Sequence, residues 1–189
     1  MTPQARIAHL QRTTGETTVE VSVNLDGQGR AEVRTGIGFL DHLLTALAKH
    51  SGIDVAITCR GDLHVDDHHS AEDCALALGA AIDQALGERR GFARFGYAYA
   101  PLDEALARCV IDLSGRPCAV VELGLRRESI GGLACENIRH VLISLAVSLR
   151  AAVHVDVLRG DNDHHRAEAA FKATALALRM AVARTGSSE

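Results

Sequence analysis

No apolar run in this chain of 189 residues reaches the roughly 18 residues of a membrane span, which excludes a transmembrane partner for any helix. Met1 to Arg12 has no signal-peptide core, so a soluble, cytoplasmic protein is expected. Five cysteines, odd in number and without CxxC spacing, read as small core residues of a reducing compartment. A net charge of −4 argues against a nucleic-acid partner. Tryptophan is absent, prolines number three, and no Pro- or Ser-rich stretch divides the chain into separate units. With 47% apolar and 23% charged residues the chain is too apolar to be disordered, and its length is enough to bury a real core. What stands out is histidine: there are ten.

Hydrophobic periodicity gives a repeated order of elements. Thr18 to Asp26 alternates, with Val19, Val21, Val23 and Leu25 on one face, as a half-buried strand does. Gly27 and Gly29 mark a turn before a short strand, Ala31–Thr35. Phe39, Leu40, Leu43, Leu44 and Leu47 have helix spacing, and Ile53, Val55, Ile57 and Cys59 alternate again. An Ala/Leu-rich helix over 71–86 follows. The second half repeats this: strands over 109–113 and 118–123 around Ser114-Gly115-Arg116-Pro117, a helix over 136–149, a strand at Val153, Val155 and Val157, and a helix over 167–183. The expected fold is α/β (α+β), a duplicated two-layer sandwich of helices on antiparallel-containing sheets. A single domain, 1–189, is expected from two half-domains, 5–88 and 92–184, joined near Gly87–Gly91 and sharing one core.

The duplication extends to single residues. Arg60-Gly61-Asp62 precedes His68-His69-Ser70-Ala71-Glu72, and Arg159-Gly160-Asp161 precedes His164-His165-Arg166-Ala167-Glu168. The helix before each carries His42 and His140. The Arg-Gly-Asp triplets read as turns, not as adhesion signals. HHxxE at a helix start stacks the first His and the Glu one turn apart, a claw for a divalent metal, while the second His points about 100° away toward another ion. His42, His68, His69, Glu72, His140, His164, His165 and Glu168 are thus eight nitrogen and oxygen donors, enough for two sites of four. Such a set suits Mn, Fe or Zn, with positions left for substrate. Glu72 and Glu168 offset the positive end of each helix, as do Asp67 and Asp163 at the expected N-caps. A zincin fits poorly, since its helix needs HExxH. His9 and His154 lie in alternating strands and read as packing residues. His64 stays open.

These residues resemble the imidazoleglycerol-phosphate dehydratase family, from about Arg6 to Ala183. The most specific pieces are Asp66–Asp73 and Gly160–Lys172, with Thr35–His42, Arg94-Phe95-Gly96, Pro101-Leu102-Asp103-Glu104 and Asp112–Pro117 also similar. The resemblance implies half-domains like domain 2 of ribosomal protein S5. It implies loss of water from imidazoleglycerol phosphate to give imidazoleacetol phosphate in histidine biosynthesis, with two Mn ions per active site. It further implies a homo-oligomer, trimers assembled into a 24-mer, with sites at subunit interfaces. The eight donors would be the metal ligands, with His42, His68, Glu72 and His164 also touching substrate. Glu16, His50, Arg94, Arg116 and Lys172 would be further substrate contacts, and Glu16 the catalytic base or proton shuttle. Lys172 is one of only two lysines against eighteen arginines, and stands one helical turn beyond Glu168.

Two departures from the family pattern carry expectations of their own. Members usually continue past the last helix into a Ser-x-Lys segment that helps hold phosphate. This sequence ends Ser187-Ser188-Glu189, so the tail is either cut short or lacks that contact. Ile143 stands where an aromatic residue is common, which bears on packing more than on chemistry.

The implied chemistry is demanding. A weakly acidic C–H proton must leave and hydroxide must be expelled, and an imidazole has two nitrogens on which two Lewis-acidic ions can act. Two other readings compete. A histidine-rich metal-binding assembly protein would need no phosphate-binding Arg and Lys, and a dinuclear metallohydrolase would usually bridge its ions with carboxylates.

Overall fold

Alternation at Val19, Val21 and Val23 becomes a strand because its valine face is buried and the other face is not. In the computed structural model, which describes residues 5–185, this strand is β2 (Thr17–Asn24), following β1 (Ile7–Thr13). The tail expectation at Ser187-Ser188-Glu189 lies outside the described residues. Next come β3 (Ala31–Arg34), α1 (Gly38–Ser51), β4 (Asp54–Gly61) and α2 (His68–Leu86). The second half runs β5 (Phe95–Leu102), β6 (Ala105–Asp112), β7 (Cys118–Glu122), a small hairpin of β8 (Ser129–Ile130) and β9 (Leu133–Ala134), then α3 (Cys135–Ser148), β10 (Ala152–Arg159) and α4 (Asp163–Ala181).

The sheets show the duplication directly. The first has strand order β1-β2-β4-β3 and the second β5-β6-β10-β7. In each, the short strand that precedes the helix returns parallel to the strand that follows it: β3 beside β4, and β7 beside β10. The sheets are therefore mixed, not antiparallel throughout, because a helix crossover brings the chain back in the same direction. α1 packs against α4 and α2 against α3, while α2 lies on β1 and β2 and α4 on β5 and β6. Helices thus face helices, with one sheet outside each of the two helix layers, and buried residues of both halves form one core.

Close backbone approaches explain several glycines. A Cβ on Gly79 would stand 2.7 Å from the Leu145 carbonyl oxygen, where α2 meets α3. The Arg-Gly-Asp triplets close strands and lead into the turns that follow: Arg60 and Gly61 end β4, where a Cβ on Gly61 would lie 2.1 Å from the Ser70 hydroxyl, and Arg159 ends β10 before Gly160 at φ +147°. The joint between the halves is clamped by Arg89, which donates to the carbonyls of Leu113 (2.9 Å) and Leu149 (2.5 Å) and pairs with Asp83.

Three expectations need correction. His9 and His154 are exposed on the outer faces of their strands, so they pack into no core of this chain. Cys118 is exposed too, since on β7 it is Val121 that turns inward. The N-cap of α4 is Asn162, one residue earlier than read; that of α2 is Asp67 as read, but its side chain makes no capping bond. Asp66 and Asn162 accept from the backbone N–H groups of His68 and His164, both at 2.9 Å. Asp67 and Asp163 instead accept backbone N–H groups of the loop before α3: Ala134 (2.7 Å) for Asp67, and Arg126 (2.8 Å) and Arg127 (2.7 Å) for Asp163. Ile143 is partly buried against the core, a packing position as expected.

The two ends of the described chain meet at Asp26, which pairs with Arg6 (2.5 Å) and Arg184 (2.7 Å). The Arg6 hydrogen bond lowers its carboxyl far below the usual range, burial opposes, and Arg184 adds to the lowering. A depressed carboxyl contributes stability above its unfolded value of about 4 and loses it as pH falls below that. Asp26→Asn is therefore expected to cost about 1 kcal/mol at pH 7, roughly 2–4 °C in Tm, discounted because the group is partly exposed. Thermal melts at pH 7 and pH 3 check this. The gap between wild type and variant should narrow at pH 3, and an equal gap at both would exclude the ion pair as its source.

Candidate metal centres

His42 owes its position to the start of α1. Asp41 Oδ1 accepts from the Thr35 amide (2.7 Å) and the Thr35 hydroxyl (2.6 Å), locking the turn that launches the helix. His42 then faces α4, where Nε2 lies 2.8 Å from Glu168 Oε2. His164 Nε2 is 3.2 Å from that same oxygen. At the other helix pair His140 of α3 faces α2, its Nε2 2.9 Å from Glu72 Oε1, with His68 Nε2 4.0 Å from Glu72 Oε2. Each group offers two imidazole nitrogens and a carboxylate within 4.8 Å of one another. That the carboxylate lies among nitrogen donors and not among other acids fits a transition-metal site better than a calcium site.

Of the two expected sets of four, the structure brings three residues together in each. His69 and His165 stand apart, turned away from their neighbours with ring planes at 75° and 86°. Each leans on an acid: His69 Nδ1 on Asp62 Oδ2 (2.9 Å), and His165 Nδ1 on Glu104 Oε2 (2.7 Å). These hydrogen bonds raise the proton affinity of both imidazoles. They also hold Nδ1 as the donor, so that Nε2 carries the lone pair, as the outer partners of metal-binding histidines do. Glu104 itself is held down at about 2 by the backbone amide of Asn162, by His165 and by the Asp161 amide. The helical ligand His68 has a similar support, Asn137 Oδ1 at 2.9 Å from its Nδ1. Asp62 and Glu104 stand in sequence motifs that gave them no role, and Asn137 stands in none. Their signal is only that they lie on the turn or helix preceding or facing a histidine pair.

Lys172 donates to Glu168 Oε1 at 2.7 Å. Burial disfavours the Glu168 carboxylate, but hydrogen bonds from Lys172 and His42 outweigh it and hold the group down at about 2. His50, two turns beyond His42 on α1, is pushed down by burial and by the nearby Lys172. The structure thus gathers His42, His50, His164, Glu168 and Lys172 at the α1–α4 face, and His68, Glu72 and His140 at the α2–α3 face. Glu16 lies exposed on the β1–β2 turn, whose Thr14 and Thr17 hydroxyls bind the buried Asp73 carboxylate (3.3 and 2.5 Å). Its charge acts on His69. His64 is exposed and belongs to neither three-residue group.

Arg94 and Arg116 are elsewhere. Arg94 pairs with Asp112 at 2.7 Å, with Arg116 4.0 Å from the same carboxylate. They lie at the opposite end of the β5–β6 hairpin from Glu104 and His165. Eight residues of strand at about 3.3 Å each make that separation roughly 26 Å.

A family model described as imidazoleglycerol-phosphate dehydratase matches residues 35–178. An imidazoleglycerol-phosphate dehydratase of Pyricularia oryzae is 51% identical over 209 aligned positions, covering 97% of this chain and 93% of that protein. One of Eremothecium gossypii is 62% identical over 157, covering 83% of this chain and 71% of that protein. Among solved structures, the Staphylococcus aureus imidazoleglycerol-phosphate dehydratase superposes with TM-score 0.85 at 36% identity, covering 95% of this chain and 99% of that one. The Pyrococcus furiosus structure gives 0.82 at 38%, covering 95% and 97%.

Proposed function

Since the chain belongs to the imidazoleglycerol-phosphate dehydratase family, we propose that it dehydrates imidazoleglycerol phosphate to imidazoleacetol phosphate with two manganese ions per active site. Family membership makes it a dehydratase, a lyase of histidine biosynthesis, and removes the need for a metal store without catalysis.

The observation that carries the metal reading is the convergence of two imidazoles and one carboxylate at each helix pair. The residues fit the ion: mixed nitrogen and oxygen donors, with the second nitrogen of His68, His69 and His165 each taken by an acceptor. His42, His164 and Glu168 would hold one ion and His68, Glu72 and His140 the other, with His69 and His165 as the remaining donors. When bound, the ions supply Lewis acidity to the two nitrogens of the substrate ring.

The other residues have the tasks of orientation and proton transfer. Glu16 is assigned as base or shuttle: its carboxylate is not committed to either donor group, and its turn is pinned to α2 through Asp73. It would take the C–H proton at a carboxylate oxygen. His42, His68, Glu72 and His164 face the substrate ring. Lys172, Arg94 and Arg116 supply charge for the phosphate and His50 a hydrogen bond, which fixes the reacting carbon relative to Glu16.

The separation of the Arg94–Arg116 pair from His165 within one chain supports a site completed by another copy, as in a homo-oligomer of trimers assembled to a 24-mer. So does the exposed apolar surface of β5, with Phe95, Tyr97 and Tyr99 more than half exposed (55%, 64% and 59%). No helix among the described residues is long and apolar enough to cross a membrane. A cytoplasmic enzyme is part of the proposal.

The test is direct. Protein stripped with a chelator is reloaded with Mn²⁺, given imidazoleglycerol phosphate, and the product is read by its enolate absorbance in alkali. Turnover is expected to vanish on stripping and return with Mn²⁺. Undiminished turnover in protein holding far less than one ion per chain would refute the metal reading.

A further inference from the structure

The two donor groups occupy equivalent places in the two repeats, yet their surroundings have diverged. One turn after Glu168 stands Lys172, whereas the equivalent position after Glu72 is Leu76. Two turns after His42 stands His50, and after His140 it is Ser148, whose hydroxyl donates to the Leu76 carbonyl (2.5 Å). Three residues before His140 is Asn137, and before His42 it is Phe39.

The first and third of these differences act in the same direction. Glu168 gives Oε1 to the Lys172 ammonium at 2.7 Å, leaving Oε2 alone among the imidazoles. Glu72 points both oxygens at its histidines, Oε1 to His140 and Oε2 toward His68. A metal at the α1–α4 group must therefore share its carboxylate with a fixed cation, in a place where the Glu168 side chain is only 12% exposed and screening is weak. The Glu72 side chain is 36% exposed and has no ammonium beside it. Asn137, itself buried (4%), accepts from His68 Nδ1 and so keeps Nε2 free as a donor to metal. On the other side His164 packs its ring 4.9 Å from the apolar ring of Phe39, which can accept no such bond.

Resting on the metal reading above, we propose that the two centres bind divalent metal with unequal strength: the α2–α3 centre fills first and holds tightly, and the α1–α4 centre is the exchangeable one. Lys172 weakens the second centre, and Asn137 strengthens the first as a positioning residue for His68. The weaker centre is then the one beside the ammonium that awaits phosphate, so an anionic ligand at Lys172 would relieve its competition for Glu168.

The experiment titrates the stripped, full-length protein with Mn²⁺ alone, and free Mn²⁺ is counted by electron paramagnetic resonance. Two steps of one ion per chain are expected, their dissociation constants at least about tenfold apart. Asn137→Leu should weaken the tighter step about tenfold or more and spare the weaker one. Asn137→Asp keeps an acceptor and should hold the tighter step at wild-type strength or above. Lys172→Met should tighten the weaker step alone, and it decides the matter if the Asn137 variants do not fold. Two ions bound at a single affinity, or an Asn137→Leu effect confined to the weaker step, overturn the inference while leaving the dehydratase reading intact. No bound ion at all would overturn the inference together with the metal reading on which it rests.

Discussion

His165→Ala is expected to lower kcat by about three orders of magnitude, close to 4 kcal/mol of transition-state stabilisation, and to reduce bound metal per chain. In one chain that imidazole belongs to neither three-residue group, and its nitrogens meet Glu104 and Asp103. A purely structural surface histidine in such a place would cost well under 1 kcal/mol and no turnover. On the reading proposed here it is instead a fourth donor, presented outward for a centre that another copy completes. Its loss should therefore be as severe as that of Glu72→Ala, whose carboxylate lies inside a group. Steady-state kinetics with metal analysis on both variants check this. Full turnover in His165→Ala would remove the residue from the metal set and with it the argument for a shared site.

Gly96→Ala should be the most damaging conservative change to the fold. A Cβ at that position would lie 1.9 Å from the Ala177 carbonyl oxygen and 2.8 Å from the Ala181 nitrogen. Both are backbone atoms of α4, so no rotamer can yield, and β5 must lift from the helix that carries His164, His165 and Glu168. The expected loss is about 3 kcal/mol or more, roughly 6–12 °C in Tm. Scanning calorimetry of the purified variant measures it. A shift of less than a degree would mean that the strand and helix separate more freely than their packing indicates.

Periodicity made most of this fold legible. The valine alternation of β2, the Leu stripe of α1 and the Ala/Leu helices α2 and α4 all lie where spacing puts them. β5 escaped for a physical reason. Its inward residues are Gly96, Ala98 and Ala100, because α4 comes too close for anything larger, while its large apolar residues, Phe95, Tyr97 and Tyr99, face out. The strand therefore reads inside-out. The parallel pairing of β3 with β4 was equally hidden, since it follows from the path of a helix and not from any residue pattern. The metal donors were legible because HHxxE fixes two of them on one helix face. Their outer partners were not: Asp62, Glu104 and Asn137 are ordinary polar residues until the fold brings them against an imidazole.

Helix α1 faces α4, and α2 faces α3, so each carboxylate from one repeat meets a histidine from the other. Neither repeat contains a whole centre, and a chain cut at Gly87–Gly91 would yield two fragments, each inert until they recombine. A single ancestral repeat could have built the same arrangement only as a twofold dimer, with two identical centres across its axis. Fusion of the copies ended that enforced identity. From then on one centre could acquire a lysine while the other acquired an asparagine, a divergence of which a symmetric dimer is incapable.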